Sequence, residues 1–132
     1  MASQLYPKGK AHLLGLATKT DLVADTIKAM LIHSASTPYS SSNEFVSDLS
    51  GAGIVARASA GLTTKIVTGG VFDADDVTLT AVAGATIDAV IVYKDSGSDA
   101  TSVLVAWMDV TPFSPTGGNI TVIWSGSGLF AI

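Results

Sequence analysis

The stretch TIDAVIVYKDSGSDATSVLVAWMD, residues 86–109, constrains the fold more than any other part of the chain. Two apolar runs flank a short polar loop, the pattern of a β-hairpin. Side chains along a strand alternate between faces. In the first run Ile87, Ala89, Ile91 and Tyr93 fall on one face, and Thr86, Asp88, Val90 and Val92 on the other. In the second, Val103, Val105 and Trp107 alternate with Leu104, Ala106 and Met108. Neither strand has a water-facing side through its middle. Such a hairpin must be covered twice, by its own domain, by a neighbouring copy or by a larger assembly.

A chain of 132 residues is the size of one domain. It can bury roughly two thirds of the surface it exposes when unfolded. Only 14% of the residues are charged, against about 25% in ordinary domains. Its polar surface must therefore be built from Ser, Thr and Gly, which are easier to desolvate than Lys and Glu, and an assembly is expected. The net charge of −4 is spread over a chain whose seven basic residues are scattered. No basic patch is present to neutralise phosphates, so nucleic acid is not an expected partner. Neither a polybasic run nor a stretch of ~18 apolar residues marks a membrane partner. With no cysteine, disulfides, thiolate zinc sites and a cysteine nucleophile are excluded. The apolar run from His12 to Ala17 is too short for the core of a signal peptide.

Residues 1–10 are polar, contain Pro7 and Gly9, and read as an N-terminal arm; residues 11–132 read as a single β domain. One short helix is expected within 11–17. Strands are expected at 26–34, 54–58, 62–68, 77–82, 120–124 and 129–132, besides the hairpin. STPYSSSNE, residues 36–44, and TPFSPTGGN, residues 111–119, read as loops. Short β-type runs with turn signals every 8–12 residues predict a mostly-β fold, an antiparallel sandwich or barrel of jelly-roll-like type.

The residues with chemical potential are few. Asp73, Asp75 and Asp76 are the densest acidic group, but the loop lacks the glycine and distal glutamate of an EF-hand. It reads as a loop entering a strand, with an aspartate bonding its own turn. His12 and His33 are the only histidines, and no GxSxG elbow accompanies them. The glycine pairs lack the phosphate-loop pattern and read as turns. Asn119-Ile120-Thr121 matches a glycosylation sequon only formally. Tyr93, Trp107, Trp124 and Phe130 read as core or interface anchors rather than as a sugar-stacking platform. No catalytic, cofactor or metal site is expected.

Five segments follow one another in a recognisable order: DTIKAMLIHSASTP from Asp25, FVSDLSGAGIVAR from Phe45, FDADDVTLTAV from Phe72, AVIVYKDSGSDATSVLVAWMD from Ala89 and GGNITVIWSGSGLFAI from Gly117. Together they resemble a family of small virion structural proteins of tailed bacteriophages. The resemblance runs from residue 22 onward. Its most specific element is Tyr93-Lys94-Asp95 with its Gly-Ser loop and the apolar strand closing at Asp109. Leu49, Ile54 and Trp124-Ser125 depart from the family pattern.

The resemblance implies a β-rich, non-enzymatic capsid decoration or cement protein. It would be made in the bacterial cytoplasm and carried on the capsid surface of the virion as a homotrimer. It would need no cofactor, and its partners would be the major capsid protein and other copies of itself. Leu5, Tyr6, Lys8 and Lys10 of the arm would order on the shell, and Trp107 and Trp124 would anchor contacts. The alternative is an adaptor on the tail or head surface that binds a receptor or glycan, with Trp107 or Trp124 exposed.

Overall fold

A computed structural model describes residues 3–15 and 19–131. The elements in chain order are β1 (Gln4–Leu5), α1 (Pro7–Leu13), β2 (Ile27–Ile32), β3 (Ile54–Arg57), β4 (Ile66–Thr68), β5 (Val71–Asp73), β6 (Val77–Leu79), β7 (Ile87–Lys94), β8 (Val103–Phe113), β9 (Ile120–Val122) and β10 (Phe130–Ala131). The protein is mostly β, its pairings are antiparallel, and it carries one short helix, as the sequence predicts. A five-stranded sheet runs in the order β1-β8-β7-β2-β3. Two small sheets, β10-β5-β4 and β6-β9, accompany it. The sheets do not close on one another, so the arrangement is sandwich-like and not a barrel.

The hairpin β7–β8 lies at the centre of the large sheet, and the same chain covers both its faces. One face carries Ala29, Leu31, Val90, Val92, Val105 and Ala106, packed with Phe72, Leu79, Trp124 and Leu129 of the small-sheet side. The opposite face carries Met30, Ile32, Ala89, Ile91, Tyr93, Leu104 and Trp107, packed with Tyr6, Val46 and Leu49. These are termed the strand-covered and helix-covered faces below. In β2, Ile27, Ala29 and Leu31 alternate regularly with Met30 and Ile32 between the two faces.

Alternation fails in the hairpin at two points, and both are bulges. Val92 pairs with Ala106 but Tyr93 pairs with Leu104, which leaves Val105 as an extra residue on β8. Val105 and Ala106 consequently share the strand-covered face, while Leu104 and Trp107 share the other. Near the far end Ile87 pairs with Phe113 and Ala89 with Asp109. This second shift moves Ile87 to the strand-covered face, away from Ala89. The second bulge also extends β8 to Phe113, into residues expected to form a loop.

The helix begins earlier than predicted, at Pro7, whose fixed φ and missing N–H suit a first helical turn. Residues 16–17 of the predicted helical segment lie outside the described residues. Gly9, which weakens helix propensity, is buried against β8: a Cβ there would meet the Leu104 carbonyl oxygen and backbone of Val105. Helix and strand approach each other this closely because residue 9 has no side chain.

Candidate functional site

The N-terminal residues expected to form an arm are part of the fold from Ser3 onward. Gln4 and Leu5 pair with Trp107 and Ala106. Tyr6 is fully buried, donates its backbone N–H to the Val105 carbonyl at 2.9 Å, and stacks at a tilt on Tyr39, 5.1 Å between centroids. Burial, with Tyr39 beside it, pushes the Tyr6 phenol up from its usual value. Lys8 stands 4.0 Å from Glu44, which also accepts a 2.8 Å hydrogen bond from the buried His12 ring. Lys10 is exposed near the end of the helix. Leu5 and Tyr6 are thus committed to the core. The polar composition of residues 1–10 misled because Leu5 and Tyr6, two of its few apolar side chains, anchor it.

Trp107 and Trp124 are inside the molecule, 1% and 8% exposed. The Trp107 indole donates to Asp109 Oδ1 at 3.0 Å, and its ring meets Tyr39 edge-on. The Trp124 indole donates to the Asp75 carbonyl at 3.0 Å, and its backbone N–H to Asp76 Oδ1 at the same distance. A glycan platform built on either tryptophan has no exposed ring face to offer.

The acidic loop is tied into its own surroundings. Asp73 Oδ1 accepts from the Ala74 N–H at 2.8 Å, and Asp75 Oδ2 accepts from the Thr64 hydroxyl at 2.6 Å. Among the described residues, no group of three or more His, Cys, Asp or Glu side chains is placed to hold a metal ion. His33, Ser34 and Asp88 meet where β2 ends and β7 begins. The His33 Nδ1–H donates to the Thr86 carbonyl at 2.7 Å, while Ser34 donates through its hydroxyl (2.5 Å) and its N–H (2.8 Å) to Asp88. Burial alone would raise the Asp88 carboxyl, but the Ser34 bonds and the neighbouring His33 outweigh it and hold it below the ordinary value. The hydroxyl faces a weakly basic carboxylate and the imidazole faces a backbone carbonyl. This arrangement locks a turn and contains no serine–histidine pair.

The feature left open to solvent is a groove on the strand-covered side, where the two layers fail to meet. Three hollows of about 290, 170 and 140 Å³ lie in succession along β8. The first and second share Ser3, Met108 and Leu129; the second and third share Val90, Val110, Val122 and Ile123. Phe113 and Ile123, 38% and 75% exposed, both line the third hollow. No residue after Asp109 is charged, and neither is any from Val77 to Ile87. The small sheet β6-β9 and the last four residues of β8 therefore carry no ionic side chain, whereas the exposed Asp109 lines the second hollow.

The opposite end of the sheet is different. Lys28–Asp95 (2.7 Å), Arg57–Asp99 (2.8 Å) and Lys94–Asp25 (3.2 Å) bind the β7–β8 turn to its surroundings. The signal for the neutral face was present in the sequence as the absence of charge after Asp109. Its position beside β8 was not, because the strand's extension to Phe113 is a tertiary effect.

Fold and groove together define a small antiparallel β domain with two packed core clusters and a largely apolar open groove along β8. No protein-family model matches this chain, and no curated protein matches it.

Proposed function

We propose that this chain is a non-enzymatic structural protein of a tailed-phage virion, a decoration or cement protein on the outer surface of the assembled head. The observation that carries the reading is the largely apolar groove, in which Asp109 is the one charged side chain lining the hollows, on a domain with two packed core clusters. Such a surface suits contact with protein rather than turnover of a small molecule. The resemblance of the β7–β8 hairpin and its flanking segments to small phage structural proteins supplies the context.

The mechanism is mass action. A protein that binds the assembled shell and not its dissociated subunits stabilises the shell by its binding free energy at every site. Small increments at many equivalent positions then add to a large resistance to disassembly. Symmetric oligomers, trimers at local threefold points, are the closed form that matches such a shell. The partners are the major capsid protein and other copies of this chain.

The test is the copy number of this protein in purified virions, relative to the major capsid protein, by quantitative mass spectrometry. A ratio near one, or a fixed large fraction, is the expected result. A few copies per particle would move the protein to the tail or portal vertex, and absence from the particle would overturn the virion reading.

A further inference from the structure

We infer that β4 is a docking edge, beside which an extended apolar segment of another protein adds as a further strand. This goes beyond the function proposed above and does not rest on it.

β4 is the outer strand of the sheet β10-β5-β4, and among the described residues no strand pairs with it on the side away from β5. Its turn decides which backbone groups face outward. Gly69 and Gly70 have φ of +60° and +79°, a two-residue turn with both central residues at positive φ. Such a turn closes on a hydrogen-bonded pair, here Thr68 and Val71. Hydrogen-bonded and non-hydrogen-bonded pairs alternate along an antiparallel ladder. The next pair, Val67 and Phe72, therefore turns its N–H and C=O groups away from each other. Phe72 bears this out on its own side, where its carbonyl accepts the Leu129 N–H at 2.7 Å, towards β10. The N–H and C=O of Val67 consequently point out of the sheet edge.

The side chains leave the same edge uncovered. Ile66 and Val67 are consecutive, so they lie on opposite faces of β4, and they are 51% and 50% exposed. Val67 shares its face with Phe72, which is buried in the strand-covered cluster. β4 thus overhangs the core, with an apolar side chain half exposed on each face. Charges, prolines and bulges are the usual guards of an open edge. No charged residue and no proline lies from Ile66 to Phe72. β3, the outer strand of the large sheet, is guarded twice, by Arg57 and by a register shift where it pairs with β2.

These features specify the occupant. An N–H and a C=O of one residue, presented together at a sheet edge, are matched by an extended backbone, the mode of strand addition. The partner residue opposite Val67 exchanges both hydrogen bonds with it. It falls on the face that Val67 shares with Phe72, where an apolar side chain extends the core outward. Its neighbours lie beside Ile66 and Thr68 and suit β-branched side chains. With three residues, β4 offers one full hydrogen-bonded pair, so these side chains set the affinity.

The probe is a short capped peptide of alternating threonine and valine with a lysine at each end, added at about 1 mM to the isotope-labelled full chain. Hydrogen exchange of the Val67 amide, followed by NMR, should slow on the order of tenfold, with chemical-shift changes at Ile66 and Thr68. The same peptide N-methylated at its valines keeps its charge, loses those donors and should do neither. Val67→Pro removes the outward donor, spares the β4–β5 bonds and should abolish the shift changes at Thr68, whereas Val67→Thr should retain them. Exchange at Val67 that the peptide leaves unchanged would overturn the inference. Equal effects of the N-methylated peptide, or shift changes confined to the groove along β8, would do the same. Protection of Val67 without peptide, rising with protein concentration, would give the edge to a second copy and also overturn it. All of these results are read on the isolated chain, so the copy number in virions bears on the function and not on this edge.

Discussion

The two faces of the central sheet are closed by different means. The helix-covered face is sealed by one seven-residue helix and the loop that carries Tyr39, Val46 and Leu49. Gly9 lets that helix lie directly on the β8 backbone, and Tyr6, Tyr39 and Trp107 fill the space beneath with mutually packed rings. The strand-covered face is met by β strands of two or three residues in two separate small sheets, and the groove is the gap they leave. A helix brings its side chains down onto a sheet in one continuous contact, whereas two short ribbons with their own twist meet it only in places. Both sides bury an apolar cluster, but only the strand-covered side leaves an open groove.

The largest effect should come from removing the helix-side cover. Deleting residues 1–10 takes away β1, the fully buried Tyr6 and the Gly9 contact. A loss on the order of 5 kcal/mol or more is expected, from the truncation of one large core side chain alone plus the exposure of the face beneath it. That is comparable with the whole net stability of a domain. Thermal unfolding followed by circular dichroism should lose its cooperative transition. A melt identical to that of the full chain would mean that residues 1–10 are a free arm after all.

A smaller contrast separates the two tryptophans. Trp107 lies at the centre of the helix-covered cluster, and its truncation to Ala should cost about 4 kcal/mol. Trp124 lines the open groove, where part of the vacated volume is reachable by water, and Trp124→Ala should cost about 2 kcal/mol less than that. Denaturant titration of both variants measures the difference. Equal losses would show that the groove side is packed as tightly as the helix side.

Much of this was legible in the chain before its fold was known. Two apolar sides on each hairpin strand required two covers, and the structure supplies both from the same polypeptide. The identity of each cover was not legible. Val105 and Ala106 share a face only because the bulge shifts the register, and nothing in VLVAWMD marks which residue is extra. Gly9 lowers helix propensity in isolation, yet the tertiary approach of β8 makes it the residue that lets the helix dock. Pro112 argued for a loop at 111–119, but β8 runs through it to Phe113, past its last pairing with β1 among the described residues, Trp107 with Gln4. The neutral stretch after Asp109 was visible as composition; its meaning depended on finding Phe113 and Ile123 across one hollow.

The smallest predicted effect concerns how the loop of the helix-side cover is held. Asp48 Oδ2 accepts hydrogen bonds from the N–H groups of Phe45 and Glu44, both at 2.9 Å, and these hold its carboxyl below the usual carboxylate value. A group whose pKa is depressed by folding adds stability above its unfolded value, near 3.9. That stability disappears as the pH falls through the folded value. Asp95 and Asp99, lowered by Lys28 and Arg57 respectively, act in the same sense at the ion-paired end. Stability should therefore be flat from neutral pH to about 5 and decline below about 4. Asp48→Asn keeps the shape and removes the charge, and because the site is exposed the loss at neutral pH should be only about 1 kcal/mol. The gap between variant and parent should then narrow as acid protonates Asp48 in the parent. Urea titrations at neutral and acid pH measure it; a gap independent of pH would mean that Asp48 holds the cover by its shape and not by its charge.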